Sequence, residues 1–114
     1  MQIVFETNGT TLVAKLYGEL DHHSASGIRE KVDLKLTSGI YHCLIFDFEN
    51  LTFMDSSGIG VIMGRVKNMA VVGGKVSVAN PNPNVEKMLH MGGLDKYISI
   101  LKKRGQLQRR YEIK

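Results

Sequence analysis

Apolar and polar residues alternate twice near the start of the chain, first Ile3 and Phe5 against Gln2 and Glu6, then Leu12, Ala14 and Leu16 against Val13, Lys15 and Tyr17. A period of two marks a strand with one covered face, so both runs are predicted strands. Between them, Thr7-Asn8-Gly9-Thr10 puts Asn-Gly where a tight hairpin takes two residues with positive φ, and the strands are expected to pair antiparallel. Past Gly18-Glu19-Leu20-Asp21 the period lengthens. Ala25, Ile28, Val32 and Leu36 recur at steps of three and four, which predicts an amphipathic helix, with Ser38-Gly39 as its stop. Tyr41 to Phe48 is almost continuously apolar apart from His42 and Asp47, as in a central strand covered on both faces.

A second helix is predicted from about Ser57 to Val72, where Ile59, Ile62, Met63, Val66, Met69 and Ala70 share a stripe and Gly73-Gly74 ends it. Glycines 58, 60 and 64 lie inside it. Each gives up roughly 1 kcal/mol against alanine, and close packing of the first turn is the expected reason. Lys75 to Ala79 then reads as a strand, Asn80 to Asn84 as a loop, Val85, Met88 and Leu89 as a short helix ended by Gly92-Gly93, and Tyr97 to Leu101 as a last strand. Leu107 and Tyr111, at helical spacing, predict a terminal helix. The order β-β-α-β-α-β-α-β-α implies an α/β fold: an N-terminal hairpin, then alternating helices and strands in a mixed, mostly parallel sheet with right-handed crossovers.

At 114 residues, with 43% hydrophobic positions, the chain has the length and core of one domain, expected to span 1–114 with a basic helical tail over 102–114. The formal charge of +4 at first suggests nucleic acid or an anionic surface. Its distribution argues otherwise. Six of the fifteen Lys and Arg residues lie in 102–114 against the single acid Glu112, so that segment carries +5 and the preceding 101 residues carry −1. No interleaving of aromatic with basic residues supports direct nucleic-acid binding. One cysteine, Cys43, builds no disulfide framework and is expected to be a buried thiol beside Leu44-Ile45-Phe46. The start MQIVFETNG has no secretory signature, and no apolar run approaches a membrane span, so a cytoplasmic protein without stable membrane insertion is expected.

In open α/β sheets, function gathers where strands end and helices begin. Two such places are polar: Gly18-Glu19-Leu20-Asp21-His22-His23, and Asn50-Leu51-Thr52-Phe53-Met54-Asp55-Ser56-Ser57-Gly58-Ile59-Gly60. The plain reading of Asp55-Ser56-Ser57-Gly58 is a helix N-cap. Three oxygen-bearing residues exceed what one cap requires. A spare hydroxyl beside a glycine at a helix start is an open acceptor for a phosphoryl group, and residue chemistry leaves Ser56 and Ser57 as equal candidates. Catalysis finds little support. Gly58, Gly60 and Gly64 match neither the dinucleotide fingerprint nor a phosphate-binding loop, and Met54-Asp55-Ser56-Ser57-Gly58-Ile59 lacks the first glycine of a nucleophile elbow. His22, His23 and Asp21 show neither triad nor metal-ligand spacing, so no catalytic residue, metal or cofactor is assigned.

The stretch Phe53 to Arg65, with Gly18 to His23 and Met91-Gly92-Gly93-Leu94, resembles the STAS domain of anti-sigma factor antagonists, over nearly the whole chain and nearest to the sporulation branch that acts on sigma factor F. The resemblance implies a STAS fold and a non-enzymatic partner switch. The unphosphorylated protein would bind the anti-sigma factor, a serine kinase with bound nucleotide, and free the sigma factor. Phosphorylation of the second serine of the motif, Ser57, would end that binding, and a PP2C-type serine phosphatase would restore it. It also implies a partner surface of Glu19, Asp21, His22, His23, Asp55, Ser56, Gly58, Ile59 and Gly60. An antagonist from another partner switch, such as the general stress response, and a nucleotide- or lipid-binding STAS module are the alternatives.

Overall fold

The computed structural model describes residues 1–102. Strands β1 (Gln2–Asn8) and β2 (Thr11–Leu20) form the hairpin; helix α1 (Ala25–Thr37), strand β3 (Cys43–Met54), helix α2 (Ser56–Val71), strand β4 (Lys75–Ala79), helix α3 (Pro83–Met91), a 3₁₀ turn (Leu94–Lys96) and strand β5 (Ser99–Leu101) follow. The five strands lie side by side in chain order; β1 is antiparallel to β2, and every later pair is parallel. The predicted α/β fold with a mixed, mostly parallel sheet is the fold observed. The terminal helix carrying Leu107 and Tyr111 lies outside the described residues.

One core joins a single sheet face to all three helices: Leu12, Ala14, Leu16, Leu44, Phe46, Val76 and Val78 from the strands meet Ile28 and Val32 of α1, Val61, Ile62 and Met69 of α2, and Val85 and Leu89 of α3. Because successive residues of a strand point to opposite faces, Val13, Ile45, Ala79 and Leu101 gather on the other side as a smaller cluster. The central strand is thus apolar on both faces.

Several local expectations change. In the hairpin, Asn8 pairs with Thr11 and only Gly9 takes a positive φ, +59°. A single positive φ at the first central position is the type II′ pattern, so Gly9-Thr10 is the turn and Asn8 its last strand residue. Helix α1 ends without a left-handed glycine. The Ser38 N–H and hydroxyl both donate to the Lys35 carbonyl, and the Thr37 hydroxyl donates to Leu34, so side-chain oxygens close the last turn. Cys43 is half-buried rather than enclosed.

Strand β3 runs six residues beyond the predicted Phe48. Its pairing with β2 slips twice: Lys15 faces Asp47 but Tyr17 faces Asn50, and Gly18 faces Leu51 but Glu19 faces Phe53. Each slip adds one residue to β3, and Gly18, with φ +107°, absorbs the distortion opposite. The buried positions therefore become Phe48, Leu51 and Met54, a spacing of three that conceals a strand from a period-two reading. The Thr52 hydroxyl donates to the Gly18 carbonyl and closes the second bulge.

Helix α3 starts two residues before the predicted Val85, because Asn82 caps it through Oδ1, which accepts from the Val85 N–H at 2.9 Å, while Pro83 occupies the first helical turn. The Asn82 side-chain amide also donates to the Leu51 carbonyl at 3.3 Å, tying this helix to β3. Replacing Asn82 by Ala removes both bonds and is expected to lower stability by about 1–2 kcal/mol in urea denaturation. An unchanged midpoint would show that the cap contributes nothing.

Candidate functional site

The two bulges bring the ends of β2 and β3 to the same level, with Leu20 paired to Met54 and the Asp55 N–H donating to the Leu20 carbonyl. Both polar segments singled out in the sequence thus leave the sheet side by side. Asp55 joins them. One carboxylate oxygen accepts from the Ser57 N–H at 2.8 Å and caps α2; the other accepts from the His22 N–H at 3.1 Å, in the loop that leads into α1. The cap expected from the sequence is present, and it has a second function as a clamp between loops.

That loop has its own internal bonding. Asp21 Oδ1 accepts from the His23 and Ser24 N–H groups at 2.9 and 3.0 Å, while the Ser24 hydroxyl donates to the Glu19 carbonyl. Donation from the Ser24 N–H, reinforced by the His23 N–H and the Ser24 hydroxyl, holds the Asp21 carboxyl below its ordinary range. The charged form is the bonded one, so this support is complete above the ordinary carboxylate range and is lost as pH falls through the depressed value.

Of the three glycines in α2, only Gly58 is needed for close packing. A Cβ there would lie 2.3 Å from Met54 Cγ and 3.1 Å from Leu20 Cδ2, whereas Gly60 and Gly64 face open space. Gly58 therefore seats the start of α2 on the ends of β2 and β3. It is buried, and its place in the candidate surface is to position that surface.

The remaining candidates divide around the first turns of α1. On one flank Glu19, Asp21 and His23 line a cleft of about 590 Å³ with Gly27 and Lys31. On the other, His22 and Ser57 line a smaller groove of about 270 Å³ between α1 and α2. Ser56 is exposed and Ser57 half-exposed; Ile59 packs on the core and lies 3.9 Å from where a Cβ on Gly92 would be, so the turn after α3 abuts the start of α2. The residues Phe53 and Met91 leave large apolar surface exposed near this edge, 49% and 78% respectively. Sequence reading passed over Arg29 and Ser26, which share the groove with Ser57, and Asp33, whose carboxylate lies 3.0 Å from Nε of the buried Arg65 across the two helices. An ion pair between helices carries no local sequence signal. Among the described residues, no group of His, Cys, Asp and Glu could hold a metal ion, and no helix is long and apolar enough to cross a membrane.

Residues 2–107 match the STAS domain family, and the chain belongs to it. Among its relatives, the anti-sigma F factor antagonist of Paenibacillus polymyxa is 39% identical over 100 residues, covering 88% of this chain and 86% of the relative. That of Lysinibacillus sphaericus is 39% identical over 84 residues, covering 74% and 72%. The solved structure of the anti-sigma factor antagonist SpoIIAA in its unphosphorylated form superposes with a TM-score of 0.77 at 36% identity over 87% of each chain. The phosphorylated form of the Bacillus cell fate determinant SpoIIAA gives 0.70 at 35%, over 87% of this chain and 90% of the other.

Gly58→Ala is expected to destabilise the protein by about 1–3 kcal/mol, since Met54 and Leu20 are enclosed and must shift. Gly60→Ala should instead leave stability unchanged or raise it by up to about 1 kcal/mol. Equal effects in thermal melts would remove the packing role assigned to Gly58. For Asp21, a carboxyl NMR titration should give a midpoint below the ordinary aspartate value, with the His23 and Ser24 amide resonances moving in step; a normal midpoint would contradict the bonding described.

Proposed function

We propose that this chain is the antagonist of a sigma-factor partner switch: unphosphorylated, it binds an anti-sigma factor that is a nucleotide-bound serine kinase and so frees sigma factor F, and phosphorylation of Ser57 ends that binding. The observation that carries the reading is the Asp55 clamp, which holds the start of α2 and the loop before α1 together, with Ser57 lining the groove between the two helices. Kinship with proteins named anti-sigma F factor antagonists supports it.

In this reading the chain is substrate and binding partner, not catalyst. The γ-phosphoryl group of ATP passes to Ser57 Oγ: the new O–P bond forms as the bond to the bridging oxygen breaks, ADP leaves, and the hydroxyl proton goes to a base on the kinase. A PP2C-type phosphatase returns the serine. The contact surface comprises Glu19, Asp21, His22 and His23 with the exposed side of the first α2 turn, Asp55, Ser56 and Gly60. Phosphorylation adds about −1.5 to −2 charges. Against one partner carboxylate at ~6 Å, with an effective dielectric of ~40, that is about 2–3 kcal/mol, enough to reduce affinity thirty- to a hundredfold without refolding.

A second member of the same class has support of its own. The anti-sigma-B factor antagonist of Bacillus subtilis is 29% identical over 95 residues, and binding to its anti-sigma factor in preference to that of sigma F would favour the stress-response branch.

Incubation with the anti-sigma F kinase and ATP, followed by mass spectrometry, should place one phosphate on Ser57. Ser57→Ala should bind the kinase and take up no phosphate, while Ser56→Ala is still labelled; the opposite pattern would move the site to Ser56. Asp21→Asn should weaken the complex at low salt, and an unchanged dissociation constant would remove Asp21 from the surface.

A further inference from the structure

The groove beside Ser57 holds more positive charge than the fold uses. Its walls are His22, Ser26 and Arg29 on the α1 side and Ser57, Gly60 and Val61 on the α2 side. Gly60 meets nothing where a Cβ would be, so the groove stays open next to the serine. Arg29 is exposed and makes no ion pair among the described residues, although Asp33 lies one turn further along its own helix. Asp33 is directed instead to Arg65. Arg65 is itself 95% buried, and its Nη1 has no hydrogen-bond partner. Arg29 is near enough to oppose the Arg65 charge; burial first, and then Arg29, push the Arg65 guanidinium below its ordinary range. Asp33 is thus committed to Arg65, and Arg29 has no carboxylate partner among the described residues. An anion at the head of the groove would give the Arg29 guanidinium a partner.

We infer that the groove between α1 and α2 receives the phosphoryl group of phosphoserine 57, with Arg29 as its charged partner. This deepens the proposed function and rests on Ser57 as the modified residue. Arg29 presents a forked guanidinium suited to phosphate oxygens. Serine 26, one turn before it on the same side, adds a hydroxyl donor. Drawn into the groove, the phosphate links the two helices whose first turns form the contact surface. The modified protein then loses its partner through an altered seam as well as through added charge.

Of the titratable groups, His22 and Arg29 line the groove, Asp55 bonds the Ser57 N–H beside it, and Asp33 and Arg65 pair with each other between the same two helices. The test uses the full chain with phosphoserine placed at position 57 during translation, so that no kinase is required, and compares it with the same protein carrying Arg29→Gln or Arg29→Lys. The other groups are common to all three, and the exposed position of Arg29 leaves the fold intact, which amide NMR spectra check. The second ionisation of the phosphate, followed by phosphorus NMR, should fall about one pH unit lower with Arg29 than with Gln, and Lys should retain most of that difference. Identical midpoints in the three proteins would overturn the assignment. Binding to the kinase is measured separately: a phosphoserine 57 protein that binds as tightly as the unmodified chain refutes the partner switch but leaves the Arg29 contact standing.

Discussion

The site depends on a single carboxylate. Asp55 uses one oxygen for the unpaired N–H of Ser57 and the other for the N–H of His22. Without the first bond helix α2 would lose its side-chain cap, and without the second the loop before α1 would keep its internal bonds but lose this tie to α2. Burial contributes little to this arrangement, since both loops lie at the surface. It is a matter of satisfying backbone donors that regular structure leaves over. The same residue therefore sets the geometry of the serine and of the segment that flanks it.

Beneath that clamp lies a packing constraint. Gly58 sits against Met54 and Leu20, the last residues of two paired strands, and its missing side chain lets α2 begin directly on the sheet. Polar clamp and apolar seat act on adjacent residues from opposite sides, so Ser56 and Ser57 are fixed by both. A phosphate attached there would meet a surface already in place, consistent with the likeness of this chain to both the unphosphorylated and the phosphorylated SpoIIAA structures.

Most of the architecture was legible because it follows from periodicity. The Ile28–Val32–Leu36 stripe, the Lys75–Ala79 alternation and the hairpin each depend on neighbours close in sequence. What escaped depended on partners far away. The end of β3 was hidden because its bulges replace the period of two by a spacing of three at Phe48, Leu51 and Met54. Gly58, Gly60 and Gly64 look alike in sequence, yet only the first meets atoms from other elements. At the site, Asp55, Ser56 and Ser57 announced themselves as a cap with a hydroxyl to spare. Arg29 and the Asp33–Arg65 pair did not, since a lone arginine on a helix reads as a solvated charge until the facing helix is known.

The two bulges in β3 carry a consequence for how this chain can change over generations. One extra residue turns every later side chain to the opposite face of the sheet; a second turns it back. Leu20 and Met54 consequently regain the facing that Leu12 and Leu44 have at the other end of the same ladder. Loss of one residue between Phe48 and Met54 would invert the strand end and carry Asp55 away from both of its partners, whereas loss of two would preserve its orientation. Length variation in this segment is therefore constrained by parity: relatives are expected to differ here by pairs of residues or not at all.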